Sequence, residues 1–565
     1  MATATDRRQS IAARTLPVAA VASVVLLVMA AARPAMDGRP LAVDRGAAPS
    51  DAAADPTVAA VDAILAARRR ANSVRAATPA DDLTVLRRLW LALAGTIPSL
   101  EEIRRFEADA APDRTARALR GLLADRRSAE ALARRLASAL VGDERGTFIV
   151  FRRDRFTSWL ADQLAAHRPW DAVVRDMVAA RGLWTDTPAV NFITQAATGK
   201  TVDAGKLAGR AARVFLGTRL DCAQCHDHPF AAWTQRDFEG LAACFAQARL
   251  SAVGVEDDAR RVLRVTRTTA MAMPTTENAA EGETAVPPSV PFGVDWLGRG
   301  GTQRENLAAW LVHADNLRFD RAIANRMWAI LFGRPWHEPV DDLPAPRVPA
   351  DHARSAGVDD DPLDLLAADF RRHGRDLRRL IEVIAATEAF RMASDHPLLA
   401  AGADCDRVVD AWAAFPLSRL APEQMIGAMV ATTSLRTIDK DSHLLTRTVR
   451  FLRENDFLRE YGRVQDGQGR GLPATVPQTL AQMNARLTRD LVEANATTAT
   501  GRIAGMAAAD PARVELAFLV ALTRRPTPAE RDAMLPVLGQ ASTKGRGMED
   551  LMWALLNGPE FCWNH

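Results

Sequence analysis

The chain has 565 residues, of which 48% are hydrophobic and 25% are charged, a composition that excludes a disordered or fibrous protein. This length predicts about two to four domains, each large enough to bury its own core. The formal net charge is only +3, and the arginines are spread along the chain beside acidic residues on helix faces, which argues against nucleic-acid binding.

The N-terminus is typical of an exported protein. Several arginines precede an apolar run over residues 16–32 that ends in small residues. We therefore predict that residues 1–32 are a signal peptide, or a membrane anchor if they are not cleaved, and that residues 33–57 are a flexible linker. The rest of the protein is then periplasmic, bound to the cell envelope or secreted, in a compartment where thiols tend to oxidise.

From residue 58 onward, apolar residues recur at three- and four-residue spacing, which predicts a mainly α-helical fold. Asp81 or Asp82 is expected to cap the second helix and Gly95 to end it. Ser99 and Glu102 form a capping-box pattern that begins the third helix. Further helices of the first half are predicted at 114–141, 150–181, 203–219 and 234–248.

The sequence LDCAQCHDHPF at 220–230 lies between the last two of these helices. It places Cys222, Cys225, His226 and His228 within seven positions of a chain that has only five cysteines and ten histidines. A Cys-x-x-Cys-His string has three interpretations: a haem attachment site, a metal site, or a disulfide or free dithiol.

The helical pattern stops at residues 262–301, where alternating β-branched residues are followed by a polar loop. This pattern predicts an irregular connector with at most two short strands. Two helical domains are expected on either side of it, at 58–261 and 302–565. Helices of the second domain are predicted at 304–313, 318–332, 362–373, 375–390, 421–433, 476–498, 511–523, 527–538 and 547–560.

Several stretches resemble a known pair of domains. FLGTRLDCAQCHDHPFAAWTQRDFEGLAACFA at 215–246 resembles the signature of the planctomycete cytochrome-c-like secreted domain. RENLAAWLVHADNLRFDRAIANRMWAILFGRPWHEPVDDL at 304–343 and PEFCWNH at 559–565 resemble the planctomycete-specific domain that commonly follows it. The resemblance implies an exported two-domain protein with a c-type haem motif, but no established reaction. The chain lacks two features expected of many members, a further N-terminal cytochrome domain and a cysteine-containing stretch before TLAQMNARL.

In a c-type haem site, Cys222 and Cys225 form thioethers to the two vinyl groups of the macrocycle, and His226 ligates the iron. A methionine as sixth ligand raises the reduction potential. Met273 is our candidate for that ligand, because it lies about fifty residues downstream in the irregular connector, and Met271 is equally well placed.

The alternatives to haem use the same residues. In the first alternative, Cys222 and Cys225 form a disulfide in an oxidising compartment. In the second, they bind a zinc ion together with His226 and His228. Four ligands within seven residues would crowd a tetrahedral site, which normally draws its ligand pairs from separated segments. Asp227 either orients an imidazole or caps the next helical turn.

Other candidate residues carry weaker signals. Asp341, Asp342, Asn325 and Arg326 could form a polar site, although helix caps and buried ion pairs use the same residue types. The three remaining cysteines are each flanked by apolar residues and are predicted to lie in the core; they are Cys244, Cys405 and Cys562. The sequence contains no Gly-rich phosphate loop, no G-x-S-x-G and no H-E-x-x-H motif, so it does not decide whether the protein is an enzyme.

The first functional hypothesis is therefore a haem c protein with a redox or electron-transfer role and an extracytoplasmic redox partner. The alternative is a non-enzymatic cell-envelope interaction or scaffold protein with a structural disulfide or zinc ion at the same motif. A hydrolase acting on an extracellular polymer has only the compartment in its favour. No nucleic-acid partner is expected, and membrane contact is expected only through an uncleaved N-terminal anchor.

Overall fold

The structure is a computed structural model that describes residues 55–142, 151–198, 201–228, 232–266, 283–346, 360–400, 402, 405–438, 483 and 486–565. The predicted signal or anchor segment, residues 33–54 of the predicted linker and the start of the helix predicted at 476–498 lie outside these residues.

The protein is mainly α-helical, as predicted. The helices of the first half are α1 Pro56–Ala71, α2 Asp82–Leu93, α3 Leu100–Ala108, α4 Arg114–Ala124, α5 Arg126–Val141, α6 Arg153–Ala165, α7 Trp170–Val178, α8 Asn191–Thr194, α9 Ala204–Leu216 and α10 Gln235–Ala243. Those of the second half are α11 Gln303–Leu311, α12 Leu317–Phe332, α13 Pro362–Arg372, α14 Leu377–Ala386, α15 Glu388–Arg391, α16 Pro397–Ala400, α17 Cys405–Asp410, α18 Pro422–Ala431, α19 Arg486–Val492, α20 Ala499–Gly505, α21 Asp510–Leu522, α22 Pro528–Gln540 and α23 Lys544–Asn557.

The helix starts follow the capping signals in the sequence. The Asp81 carboxylate accepts hydrogen bonds from the backbone N–H groups of Leu83 (2.9 Å) and Thr84 (3.0 Å) at the start of α2. At α3, the Ser99 hydroxyl accepts from the Glu102 N–H, and the Glu102 carboxylate accepts from the Ser99 N–H. Both predicted caps are thus confirmed, because a side-chain oxygen at the first turn satisfies amides that the helix leaves unpaired.

Two long helices predicted in the first half are each divided in two. The segment 114–141 breaks at Asp125, whose backbone is extended and whose carboxylate caps α5 by accepting from the Arg127 N–H at 2.8 Å. The segment 150–181 breaks before Pro169, which has no N–H to continue the ladder, and His167 there has a left-handed φ of 55°. Periodicity alone missed these breaks because the apolar spacing continues across them.

The described part of the connector contains one antiparallel pair of short strands, β5 Leu263–Thr266 and β6 Glu283–Val286, in which Leu263 pairs with Val286. This agrees with the prediction of at most two strands in that segment. Other short antiparallel pairs lie outside it: β1 Ala197–Thr198 with β2 Thr201–Val202, β3 Ala248–Ser251 with β4 Gly254–Asp257, and β7 Ser418–Arg419 with β8 Trp563–Asn564.

The two halves of the described chain share their hydrophobic core. The largest apolar cluster joins Trp90 and Leu93 of α2 to Trp328 and Phe332 of α12. A second cluster packs Leu91 of α2 among the C-terminal helices. The helix α2 is therefore surrounded by residues from both halves, and the described residues from 55 to 565 belong to one compact unit.

Several arginines that the sequence places on helix faces are buried in the structure. Arg88 of α2 donates hydrogen bonds to the carbonyl oxygens of Phe390 (2.8 Å), Met392 (2.7 Å) and His565 (2.8 Å), and its guanidinium lies 3.7 Å from the centre of the Phe415 ring. Burial lowers the pKa of Arg88 to about 9. Backbone carbonyls and an aromatic ring replace water around this buried cation.

Candidate functional site

The Cys-x-x-Cys-His motif lies on a short turn at the surface, between α9 and α10. Residues Asp221–Gln224 form one turn of 3-10 helix, and the side chain of Ala223 is fully buried beneath it. Cys222 and Cys225 are both exposed, and their sulfurs are not joined to each other. Burial of the alanine between the two cysteines fixes the turn so that both thiols face solvent.

Two glycines of α9 let this turn lie close to the helix. A Cβ atom on Gly209 would lie 3.0 Å from the Asp221 carboxylate, and one on Gly205 would lie 3.5 Å from the Gln224 amide. Arg213, one helical turn further along, pairs with Asp221 at 2.5 Å. The small residues and this ion pair hold the turn against α9.

His226 is exposed, and its Nδ1 lies 2.7 Å from the backbone carbonyl oxygen of Asp227. A carbonyl oxygen can only accept a hydrogen bond, so Nδ1 carries the proton in this contact. In the neutral imidazole the lone pair is then on Nε2, the atom that points away from the bond. A backbone carbonyl on one ring nitrogen is a common way of orienting a histidine that ligates a metal through the other.

The residues after His226 close the loop onto α10. The Asp227 carboxylate accepts from the Gln235 N–H at 2.8 Å, and the His228 N–H donates to the Trp233 carbonyl at 2.8 Å. Of the two roles predicted for the Asp227 side chain, the structure shows the capping of the next helix. The orienting contact to His226 comes instead from the backbone carbonyl of Asp227.

The second half of the chain holds the segment that leads into the turn. Arg219, three residues before Cys222, pairs with the Asp341 carboxylate at 2.8 Å, and its N–H lies 3.4 Å from the Asp342 carboxylate. The Leu343 N–H donates to the Gly217 carbonyl at 2.7 Å. Asp341 and Asp342, two of the four predicted polar-site residues, therefore anchor the entry to the motif.

Gly217 makes this contact sensitive to substitution. Its φ is +57°, and a Cβ atom there would lie 2.6 Å from Cδ1 of Leu343. We expect Gly217→Ala to lower the free energy of unfolding by about 2 to 4 kcal/mol, because backbone strain adds to the overlap. In the control Gly121→Ala, where nothing lies within 4 Å inside α4, we expect an increase of up to about 1 kcal/mol. Denaturant unfolding measures both, and equal effects would contradict the steric argument.

Asn325 and Arg326, the other two polar-site candidates, are buried in α12. The Asn325 amide is used by backbone groups of one loop: its Nδ2 donates to the His337 and Val340 carbonyls, and its Oδ1 accepts from the Trp336 and His337 amides. Asn325 fixes the loop that carries Asp341 and Asp342.

The three cysteines outside the motif differ from one another. Cys244 is fully buried, as predicted, and burial raises the pKa of its thiol to about 12. Cys562 is only partly buried, and Cys405, the first residue of α17, is exposed, so the prediction of a core position is wrong for Cys405. An apolar neighbour in sequence does not bury a residue that begins a short surface helix.

The structure brings few candidate metal ligands together. Within the described residues, no three His, Cys, Asp or Glu side chains lie close enough together to hold a metal ion. The side chains of Cys222, Cys225, His226 and His228 are not gathered into such a group there. Met271 and Met273 lie outside the described residues. The described part of the chain also has no helix with the length and apolarity needed to cross a bilayer.

Sequence reasoning missed one charged cluster in the second half. His337 Nε2 lies 2.7 Å from the Asp361 carboxylate, which also contacts Arg321, and Arg321 pairs with Asp364 at 2.9 Å. Burial alone would raise the pKa of Asp361, but the His337 hydrogen bond and the Arg321 charge outweigh it and lower that pKa. No sequence motif indicates this cluster, since its members come from α12, from the loop that follows it and from the start of α13.

The fold and the site together define a mainly α-helical protein with an exposed CxxCH turn that is anchored by a second helical half. Residues 60–250 match PSCyt2, described as a protein of unknown function (DUF1549), and residues 303–538 match PSD1, described as a protein of unknown function (DUF1553). The chain therefore contains these two domains in this order, as the resemblance in its sequence predicted. No curated protein and no solved structure matches it.

Proposed function

We propose that this protein is exported and carries a covalently attached c-type haem at Cys222, Cys225 and His226, with a redox or electron-transfer role. The observation that carries the proposal is the state of the turn: two exposed, unbonded thiols and an exposed imidazole whose Nδ1 is already engaged. Both families are described as being of unknown function, so the proposal rests on these residues and on the cytochrome-like family name.

Each residue of the turn has a defined task in this proposal. The thiols of Cys222 and Cys225 each add across a vinyl C=C bond: sulfur bonds to one carbon, the proton goes to the other, and no oxidant is consumed. His226 offers the Nε2 lone pair to the iron while the Asp227 carbonyl holds its ring. When bound, the haem supplies one-electron chemistry at its iron. Met273 remains our prediction for the sixth ligand.

Export is part of the same proposal, because c-type haem is normally attached outside the cytoplasm. The N-terminal arginines and the apolar run that follows them are typical of an export signal. The partner would then be an extracytoplasmic redox protein.

The test is to express the full chain in a host that has the haem-attachment machinery. We expect a Soret band that survives denaturation and a mass gain of one haem. If the protein is produced and exported but keeps its unmodified mass, while a known c-type cytochrome matures in the same cells, the haem proposal fails. The interaction or scaffold protein would then be the better hypothesis.

A further inference from the structure

One arginine of the second half contacts both flanks of the CxxCH turn. Arg318, near the start of α12, donates to the Thr218 hydroxyl at 3.1 Å, four residues before Cys222. Its guanidinium also lies 5.2 Å from the centre of the Trp233 ring, and the Trp233 carbonyl accepts from the His228 N–H. A single cation thus touches the chain on either side of the motif.

This cation has no paired carboxylate among the described residues. Its polar contact there is to the neutral Thr218 hydroxyl, and no Asp or Glu oxygen of that part of the chain lies within 4.0 Å. Asp342 acts on it only at longer range, and the charge of Arg321 opposes that attraction. Burial lowers the pKa of Arg318 to about 10, so it remains charged at neutral pH.

Other buried arginines of the same half are paired differently. Arg304 makes two bonds to Asp257, both of 2.7 Å, and Arg321 contacts both Asp361 and Asp364. A guanidinium that is partly withdrawn from water favours an anion that can accept two parallel hydrogen bonds. Arg318 shares this preference. It also lies over the Trp233 ring and contacts Thr218, close to the CxxCH motif. The structure therefore points to a carboxylate-bearing ligand next to Cys222, Cys225 and His226.

We propose that Arg318 binds a propionate carboxylate of the haem attached at Cys222 and Cys225, so that the cofactor site is completed by the second half of the chain. This rests on the proposed function, since the propionates are the carboxylates that haem carries. Arg318 is a binding and positioning residue in this proposal.

The test compares two ligands on haem-free protein, haem itself and haem dimethyl ester, in which both propionates are blocked. We expect the wild-type protein to bind haem about tenfold more tightly than the ester, and Arg318→Gln to bind both with equal affinity. Arg318→Lys should keep part of the preference, because an ammonium supplies charge without the two-pronged geometry. Absorbance titration gives the ratio within each variant, so partial misfolding affects both ligands alike.

Arg334→Gln is the matched control. Arg334 also stacks on a tryptophan of this half, 5.3 Å from the Trp412 ring centre, but it has a partner in Asp410 at 3.6 Å. It should keep the wild-type ratio. If wild type and Arg318→Gln share the same ratio, Arg318 does not bind a propionate, although the haem function stands. If the wild-type protein binds neither ligand and gains no haem in cells, the proposed function itself fails, and this inference fails with it.

Discussion

If haem is attached as proposed, replacing Cys222 and Cys225 together by serine is expected to abolish its covalent attachment. The two thiols are the groups of the turn that can form thioethers, and a serine hydroxyl does not add to a vinyl group under the same conditions. We expect the Soret band of the denatured protein and the haem mass gain to be lost completely. The control is Cys405→Ser, which removes an exposed, unbonded thiol outside the motif and should leave both signals at the wild-type level.

The same double variant separates the haem proposal from a structural disulfide. In the haem-free protein both sulfurs are exposed and unbonded, so their replacement should change the free energy of unfolding by no more than about 0.5 kcal/mol. A loss of about 2 to 4 kcal/mol on the double replacement, with no haem in the wild type, is what a disulfide would give. That result would falsify the assignment of the turn as a haem site.

Replacing Arg304 by methionine is expected to destabilise the protein strongly. Arg304, in the first helix of the second half, is fully buried and makes both of its bonds to the Asp257 carboxylate at 2.7 Å. It also donates to the carbonyls of Val178 (3.0 Å) and Ala180 (2.7 Å) at the end of α7. Its loss leaves a buried carboxylate and two carbonyls without this partner, and we expect the free energy of unfolding to fall by about 3 to 5 kcal/mol.

Arg181→Met provides the control, because Arg181 pairs with the same Asp257 carboxylate at 3.0 Å but its side chain is 46% exposed. An exposed ion pair contributes at most about 1 kcal/mol. Denaturant unfolding of both variants measures the difference. Similar losses for the two would show that burial of Arg304 does not set the strength of this contact, and separate transitions for the two halves would contradict a shared core.

Much of the fold could be predicted from local patterns. Asp81 and the Ser99–Glu102 box mark helix starts because the capping contacts lie within three residues. The first strand of the connector, β5, is likewise marked by β-branched alternation, whereas its partner β6 lies in the stretch predicted as a polar loop. The breaks at Asp125 and Pro169 had local signals too, but continuous apolar spacing outweighed them in the prediction.

The burial of charged residues could not be predicted in this way. Arg88 has the spacing of an ordinary helix-face residue, and its acceptors Phe390 and Met392 lie 302 and 304 residues further along the chain. The contact between Arg219 and Asp341 spans 122 residues. Helical periodicity describes one element at a time, so it cannot show which distant carbonyls or carboxylates replace water around a cation.

Part of the candidate site could likewise be predicted from the sequence, and part could not. The residues Cys222, Cys225 and His226 are recognised from their spacing alone, but the contact that fixes the proton on Nδ1 of His226 requires the turn to be folded. Arg318 is separated from Thr218 by 100 residues and belongs to a different family domain, so nothing in the motif points to it.

The contacts of Arg88 limit the order in which the chain can fold as it is synthesised. Its last hydrogen-bond acceptor, the His565 carbonyl, lies 477 residues downstream. A chain that emerges N-terminus first cannot complete the surroundings of this cation until residue 565 has arrived. The cysteines of the turn emerge some 340 residues earlier, so they are exposed for modification before this part of the interior can be completed.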